Sequence, residues 1–142
     1  MKFAAWLEKR KILQALSDRS VAGQFGEKKA AKYLKSECSY KVLSKNWRYK
    51  SGELDLVCND GEVLVFVEVR TRRETALVQG FDSIGAHKRK VLLKSCKAYI
   101  RSLKLKPATF RFDVVQLTLN ENGTCDLKHY KNSQLFPKDF RY

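Results

Sequence analysis

The stretch Ser51 to Arg73, SGELDLVCNDGEVLVFVEVRTRR, decides the fold. It reads as two strands around Asn59-Asp60-Gly61, a hairpin turn signal because a type I′ turn needs positive φ at both central positions. The second strand alternates strictly. Val63, Val65, Val67 and Val69 face one way, and Leu64, Phe66, Glu68 and Arg70 the other. On the first strand Leu54, Leu56 and Cys58 are expected to share a face. With Asp60-Gly61 as the loop, Asp55 falls opposite Phe66 and Glu53 opposite Glu68. Asp55 and Glu68 are then diagonal neighbours, roughly 7 Å apart at Cβ. Like charges at that distance are unfavourable without a cation between them. The hairpin therefore reads as built around a positive ion.

Working outward, a helix is expected on each side. Upstream, Asp18-Arg19-Ser20 offers caps for a helix over about Ser20 to Glu37. Its apolar stripe is Gly23, Ala30, Leu34 and Cys38, and Glu27 falls on that stripe. Glu27 reads either as a first-turn carboxylate favoured by the helix dipole or as an inward carboxylate completing an acidic site. Before it, residues 1–17 form an amphipathic candidate with Phe3, Trp6, Leu7, Ile12, Leu13 and Leu16 as apolar positions. That extension, residues 1–18, is compatible with packing on the domain of residues 19–142, with homodimer formation or with fraying.

Lys41 to Tyr49 reads as a strand, and Thr71 to Phe81 as a loop. A further helix over about Ser83 to Leu103 has the inward stripe Ile84, Val91, Leu92, Ser95, Tyr99 and Leu103. Lys88 falls on it, either as a snorkelling stem or as a site amine. The opposite side carries Lys90, Lys94, Lys97, Arg101 and Lys104. Such a row repels itself, and a polyphosphate would relieve the repulsion by releasing its counterions. Arg72 and Arg73 extend the basic set. Phe110 to Leu119 is an alternating strand, and the tail from Thr124 reads as a short edge strand. The order helix, strand, strand, strand, helix, strand gives an α/β class with a mixed sheet.

The 142 residues carry a net charge of +14, which points to a polyanionic partner, nucleic acid before membrane. Cys38, Cys58, Cys96 and Cys125 form no Cys-x-x-Cys pair, so reduced thiols are expected rather than a zinc site. No apolar run is long enough to span a membrane, and Glu8, Lys9, Arg10 and Lys11 interrupt any signal-peptide core. A cytoplasmic protein is the expectation.

Paired carboxylates with a basic residue two positions after the second suit phosphodiester hydrolysis. A divalent cation polarises the phosphoryl oxygen and supplies hydroxide, and one or two carboxylates suffice to hold Mg²⁺. Gly26-Glu27 with Ala30, Tyr33 and Leu34, GELDL at 52–56, VFVEVRTR at 65–72, Lys88 and RFDV at 111–114 resemble the YraN family (UPF0102). That family is related to Holliday junction resolvases and other nucleases of the restriction-endonuclease-like PD-(D/E)xK fold. The resemblance implies a restriction-endonuclease-like core. It also implies Mg²⁺ or Mn²⁺ on Asp55 and Glu68, with Glu27 as the helix carboxylate of resolvase-like members. The substrate it implies is DNA, with branched DNA as a candidate. Arg70 stands where the usual lysine would be. Arginine stays protonated, so it can stabilise charge but not relay a proton, and Lys88 is the candidate replacement amine. The rival reading is a nucleic-acid-binding protein that keeps the fold without cutting.

Overall fold

The computed structural model describes all 142 residues, Met1–Tyr142. Helices α1 (Lys2–Ser17) and α2 (Arg19–Ser36) precede strands β1 (Lys41–Tyr49), β2 (Gly52–Asp60) and β3 (Val63–Arg73). A short 3-10 turn (Gly80–Ser83), helix α3 (Ala86–Ser102) and strands β4 (Phe110–Leu119) and β5 (Cys125–Tyr130) follow. The strands form one sheet in the order β1-β2-β3-β4-β5. Only β3 and β4 run parallel, joined through α3. The expected α/β class with a mixed sheet and flanking helices is what the chain forms, and the architecture is compatible with a nuclease-like core. β3 is longer than expected, reaching Arg73 before the loop begins.

Each face of the sheet has its own core. Leu64 and Phe66 join Phe112, Val114 and the α3 residues Leu92, Cys96, Tyr99 and Ile100. Val65 and Val67 join Val115, Leu117 and the α2 residues Ala30, Ala31 and Leu34. The period-2 alternation of β3 thus feeds two helices on opposite sides. Cys58 and Cys96 are buried in these cores, and all four cysteines are free thiols. α1 packs through Ile12 and Ala15 against Leu119, while Phe3, Trp6, Leu7 and Leu13 stay exposed. Of its six expected apolar positions, only Ile12 is fully buried, with Leu16 packed beside it.

The hairpin register differs from the expected one by a shift of the turn. Asp60 pairs with Val63 and Leu56 with Val67, so the loop is Gly61-Glu62. Gly61 has φ 59° and Glu62 is not left-handed, which is the pattern of a type II′ turn. The shift carries Asp55 from a diagonal position to the level of Glu68. A second correction concerns Leu54, which packs in the α3-side core while Leu56 and Cys58 pack in the α2-side core. The alternation of β2 is therefore interrupted around Asp55. Beyond Leu56–Val67 the β2–β3 pairing stops, whereas β1–β2 and β3–β4 continue.

A polar network holds the other end of the sheet. Fully buried Asp113 accepts from Arg111 Nε (3.0 Å) and the Asn132 amide (2.9 Å), and it lies 2.8 Å from His129 Nε2. Arg111 also reaches Asp60 at 2.9 Å and donates to the Tyr40 hydroxyl. Burial alone would raise the Asp113 pKa. The bonds from His129, Arg111 and Asn132 outweigh it, and the carboxyl lies below its ordinary value.

Candidate active site at the split in the sheet

Asp55 sits where β2 leaves β3. Its Oδ2 accepts the Val69 backbone N–H at 2.8 Å, a donor that a paired strand would otherwise satisfy. Glu68, one position before Val69, is only 2% exposed and its Oε2 has no hydrogen-bond partner. Lys88, on the first turn of α3, places Nζ 2.8 Å from Glu68 Oε1. The expected inward position of Lys88 on the helix stripe thus delivers its amine to the buried carboxylate.

Arg70 follows Glu68 on the same side of β3. Its NH1 lies 3.7 Å from Glu68 Oε1. The rest of the guanidinium is occupied, since Nε donates to Ser83 Oγ and NH2 to the Ser83 carbonyl, both at 3.1 Å. The 3-10 turn thereby fixes the arginine fork. Arg70 is thus tied to the 3-10 turn beside Glu68, while half-exposed Lys88 brings a second cation to the same carboxylate.

Glu27 reaches the same cleft from α2, which can approach because residue 26 is glycine. A Cβ there would lie 2.0 Å from Thr71 Oγ1. Of the two readings of Glu27, the inward carboxylate matches its position, lining one cavity with Asp55, Glu68, Arg70 and Lys88. That cavity measures about 400 Å³. Arg19 and Arg72 complete its basic rim. Asn46, with its amide NH₂ turned toward the acids, donates to Glu53 Oε1 (2.9 Å) and Glu27 Oε2 (3.1 Å). Asn46 adopts φ 51° within β1, an unusual conformation for a strand residue.

The electrostatics follow from this crowding. Burial, then the Glu68 charge, push Asp55 up to about 8, against the opposing pull of the Val69 N–H bond. Glu27 is also raised, first by burial and then by Glu53 and Glu68, with the Asn46 bond acting the other way. The donors are all carboxyl oxygens, and with Asp55 raised to about 8 the pair holds a proton that a bound cation would displace. A hard divalent cation fits that set through Asp55 and Glu68, with water filling its remaining positions. No cage of three or more His, Cys, Asp or Glu side chains is gathered. A two-carboxylate site is what the residues can offer.

Of the expected nucleic-acid residues, Arg72 lines the acid cleft, while Arg73 donates to the Leu16 carbonyl at the end of α1. Lys94, Lys97 and Arg101 line a separate groove beside α3. Lys90 is exposed outside that groove, and Lys104 lies beyond the end of α3 at Ser102. Sequence reasoning did not reach Asn46, Ser83 or Arg19. A strand Asn is a weak signal for left-handed backbone, and nothing local marks Ser83 as an arginine anchor.

Comparisons with known proteins give the chain a family. The profile of the uncharacterised protein family UPF0102 matches residues 26–117, which include Glu27, Asp55, Glu68, Arg70 and Lys88. A UPF0102 protein of Caldicellulosiruptor saccharolyticus is 35% identical over 112 residues, covering 78% of this chain and 94% of the relative. One from Dehalococcoides mccartyi is 38% identical over 104 residues, covering 73% and 85%. One from Symbiobacterium thermophilum is 35% identical over 111 residues, covering 78% and 93%. With the match running from Gly26 in the middle of α2 through α3 to Leu117 in β4, the chain belongs to the UPF0102 family.

Proposed function

We propose that the cleft is the centre of a metal-dependent endonuclease that hydrolyses phosphodiester bonds in DNA, with branched DNA a candidate substrate. One observation carries the reading. Two carboxylates, one raised to about 8 and the other buried with an unpartnered oxygen, meet at a split in the sheet beside a lysine amine. Mg²⁺ or Mn²⁺ bound there would polarise the scissile phosphoryl group and provide hydroxide near neutral pH. Asp55 and Glu68 would hold that ion. Lys88, half exposed and on a flexible stem, orients the attacking water and stabilises the phosphate charge. Arg70 keeps Glu68 aimed, and Arg19 and Arg72 neutralise the substrate backbone at the rim. Glu27, steadied by Asn46, supplies a third carboxylate facing the water.

A second reading has its own support. Lys88 Nζ already neutralises Glu68 Oε1, so the chain can satisfy its acidic pair without a metal. That suits a DNA-binding protein which keeps the fold and does not cut. The two are separated by incubating labelled four-way junction, duplex and single-stranded DNA with Mg²⁺ or Mn²⁺. The enzyme reading predicts metal-dependent cleavage that Asp55→Asn and Glu68→Gln each abolish. Salt-sensitive binding with no cleavage under either metal contradicts it.

A further inference from the structure

The acid cleft does not end at Asp55. A cavity holding Asp55, Glu27 and Lys88 shares Ser51, Gly52, His87 and Val91 with a groove of about 530 Å³ between the β1–β2 turn and α3. The groove is lined by Lys50, Lys94, Lys97 and Arg101, and no carboxylate lines it. Tyr49 lies at its edge, 37% exposed. Its ring is nearly parallel to Trp47, with 7° between planes and 6.3 Å between centroids. Trp47 is braced edge-on against buried Tyr99 at 5.1 Å.

The local backbone fixes this aromatic in place. Lys50 takes φ 52°, and Gly52 has no Cβ to meet α3. A Cβ at residue 52 would lie 2.3 Å from Ser95 Oγ and 2.8 Å from Val91 Cγ1. The turn is therefore pressed against the helix, and the tyrosine projects from a braced support. Lys50 Nζ stands 5.4 Å from the ring centroid on an exposed stem that can move aside.

We propose that this groove binds an unpaired stretch of DNA strand, with phosphates against Lys94, Lys97 and Arg101 and one base stacked on Tyr49. The continuation of that strand into the acid cleft rests on the nuclease reading above; the binding itself does not. A cationic groove tracks a backbone of any sequence, and an aromatic ring adds a π-surface that every base can use. In a duplex both faces of an internal base are covered by its neighbours. A braced ring inside a carboxylate-free groove therefore selects an unpaired base, at a junction, flap or single-stranded gap. Such a groove next to a cleavage centre gives structure-selective rather than sequence-selective recognition.

The test uses the full chain in EDTA, so that no cleavage intervenes. Anisotropy is read with a labelled single strand of about 12 nucleotides and with the blunt duplex of the same sequence. Tyr49→Ala is expected to weaken single-strand binding roughly 5- to 150-fold, the effect of losing one stacked base, while duplex binding moves by less than about twofold. Tyr49→Phe keeps both affinities. Replacing Lys94 or Lys97 by Gln lowers the single-strand salt slope by about 0.7 each. Thermal melts confirm that the variants are folded. Unchanged single-strand binding in Tyr49→Ala, equal loss for duplex, or no single-strand binding by the parent overturns the proposal. Selective loss in EDTA with no cleavage in Mg²⁺ or Mn²⁺ sinks the nuclease reading and leaves the groove. Cleavage without selective loss sinks the groove alone.

Discussion

At the residue scale, Asp55 is held in a position that costs the free protein stability. It accepts the Val69 amide, yet burial and the Glu68 charge keep its carboxyl raised to about 8. The folded state therefore favours the neutral acid over an ordinary value of 3.8. Stability from this group is full below that ordinary value and is lost as pH rises toward 8. Asparagine can accept the Val69 bond and never ionises. Metal-free Asp55→Asn should melt at nearly the parent temperature at pH 4 and several degrees higher at pH 8. Melts in EDTA at both pH values check this, and a variant less stable at pH 8 contradicts it. Asp113 behaves in the opposite sense. Its pKa is lowered, so its contribution is present above its ordinary value and is lost as pH falls through the folded value. Asp113→Asn takes a buried carboxylate away from half-buried Arg111, which keeps Asp60, and should cost about 1–3 kcal/mol at pH 7. Urea unfolding should show that difference shrinking below pH 4.

At the element scale, the site depends on how closely two helices approach the sheet. Gly26 lets α2 rest on Thr71, which carries Glu27 to the cleft. Gly26→Ala brings a Cβ within 2.0 Å of Thr71 Oγ1. The clash should cost about 1–3 kcal/mol, offset in part by the about 1 kcal/mol that Ala gains over Gly in a helix. Adding Thr71→Ala removes that oxygen and should restore stability to the parent value or above. Denaturant midpoints of the two variants decide it. If the single variant is as stable as the parent, the close approach is not a constraint.

Local sequence patterns carry through to the fold, while features made by the assembled sheet do not show in them. The alternation of Val63 to Arg70 correctly sorted β3 into two faces, and the 3.6-residue stripes put Glu27 and Lys88 on the sides of their helices that line the cleft. Those patterns are local, so they survive in sequence. The turn moved by one residue because Asp-Gly and Gly-Glu compete as loop centres, and glycine in the first central position suffices for a type II′ turn. The face switch between Leu54 and Leu56 was invisible, since it arises where β2 leaves β3. Asn46 and Ser83 were missed for a related reason. Both act on residues distant in sequence, through contacts that only the assembled sheet creates.

Across the whole molecule, charge and architecture point the same way. A formal +14 is spread over a chain whose two candidate DNA surfaces, the acid cleft rim and the groove beside α3, meet at Ser51, Gly52, His87 and Val91. The acids Glu27, Asp55 and Glu68 gather where the two surfaces meet, and Lys88 and Arg70 are the cations beside Glu68. No helix is long and apolar enough to cross a membrane. α1 closes the β4 side through Ile12, and Ile12→Ala should cost about 2–4 kcal/mol, read as a lower urea midpoint. A change under 1 kcal/mol would mean that α1 contributes little to the core.

The central claim is that Asp55 and Glu68 together hold one divalent cation. The most direct measurement is calorimetric titration of Mn²⁺ into the metal-free protein at pH 8, in parallel with Asp55→Asn and Glu68→Gln. One ion per chain, bound by the parent and lost or greatly weakened in both variants, is the predicted result. No binding by the parent, or binding that both variants retain, would contradict it.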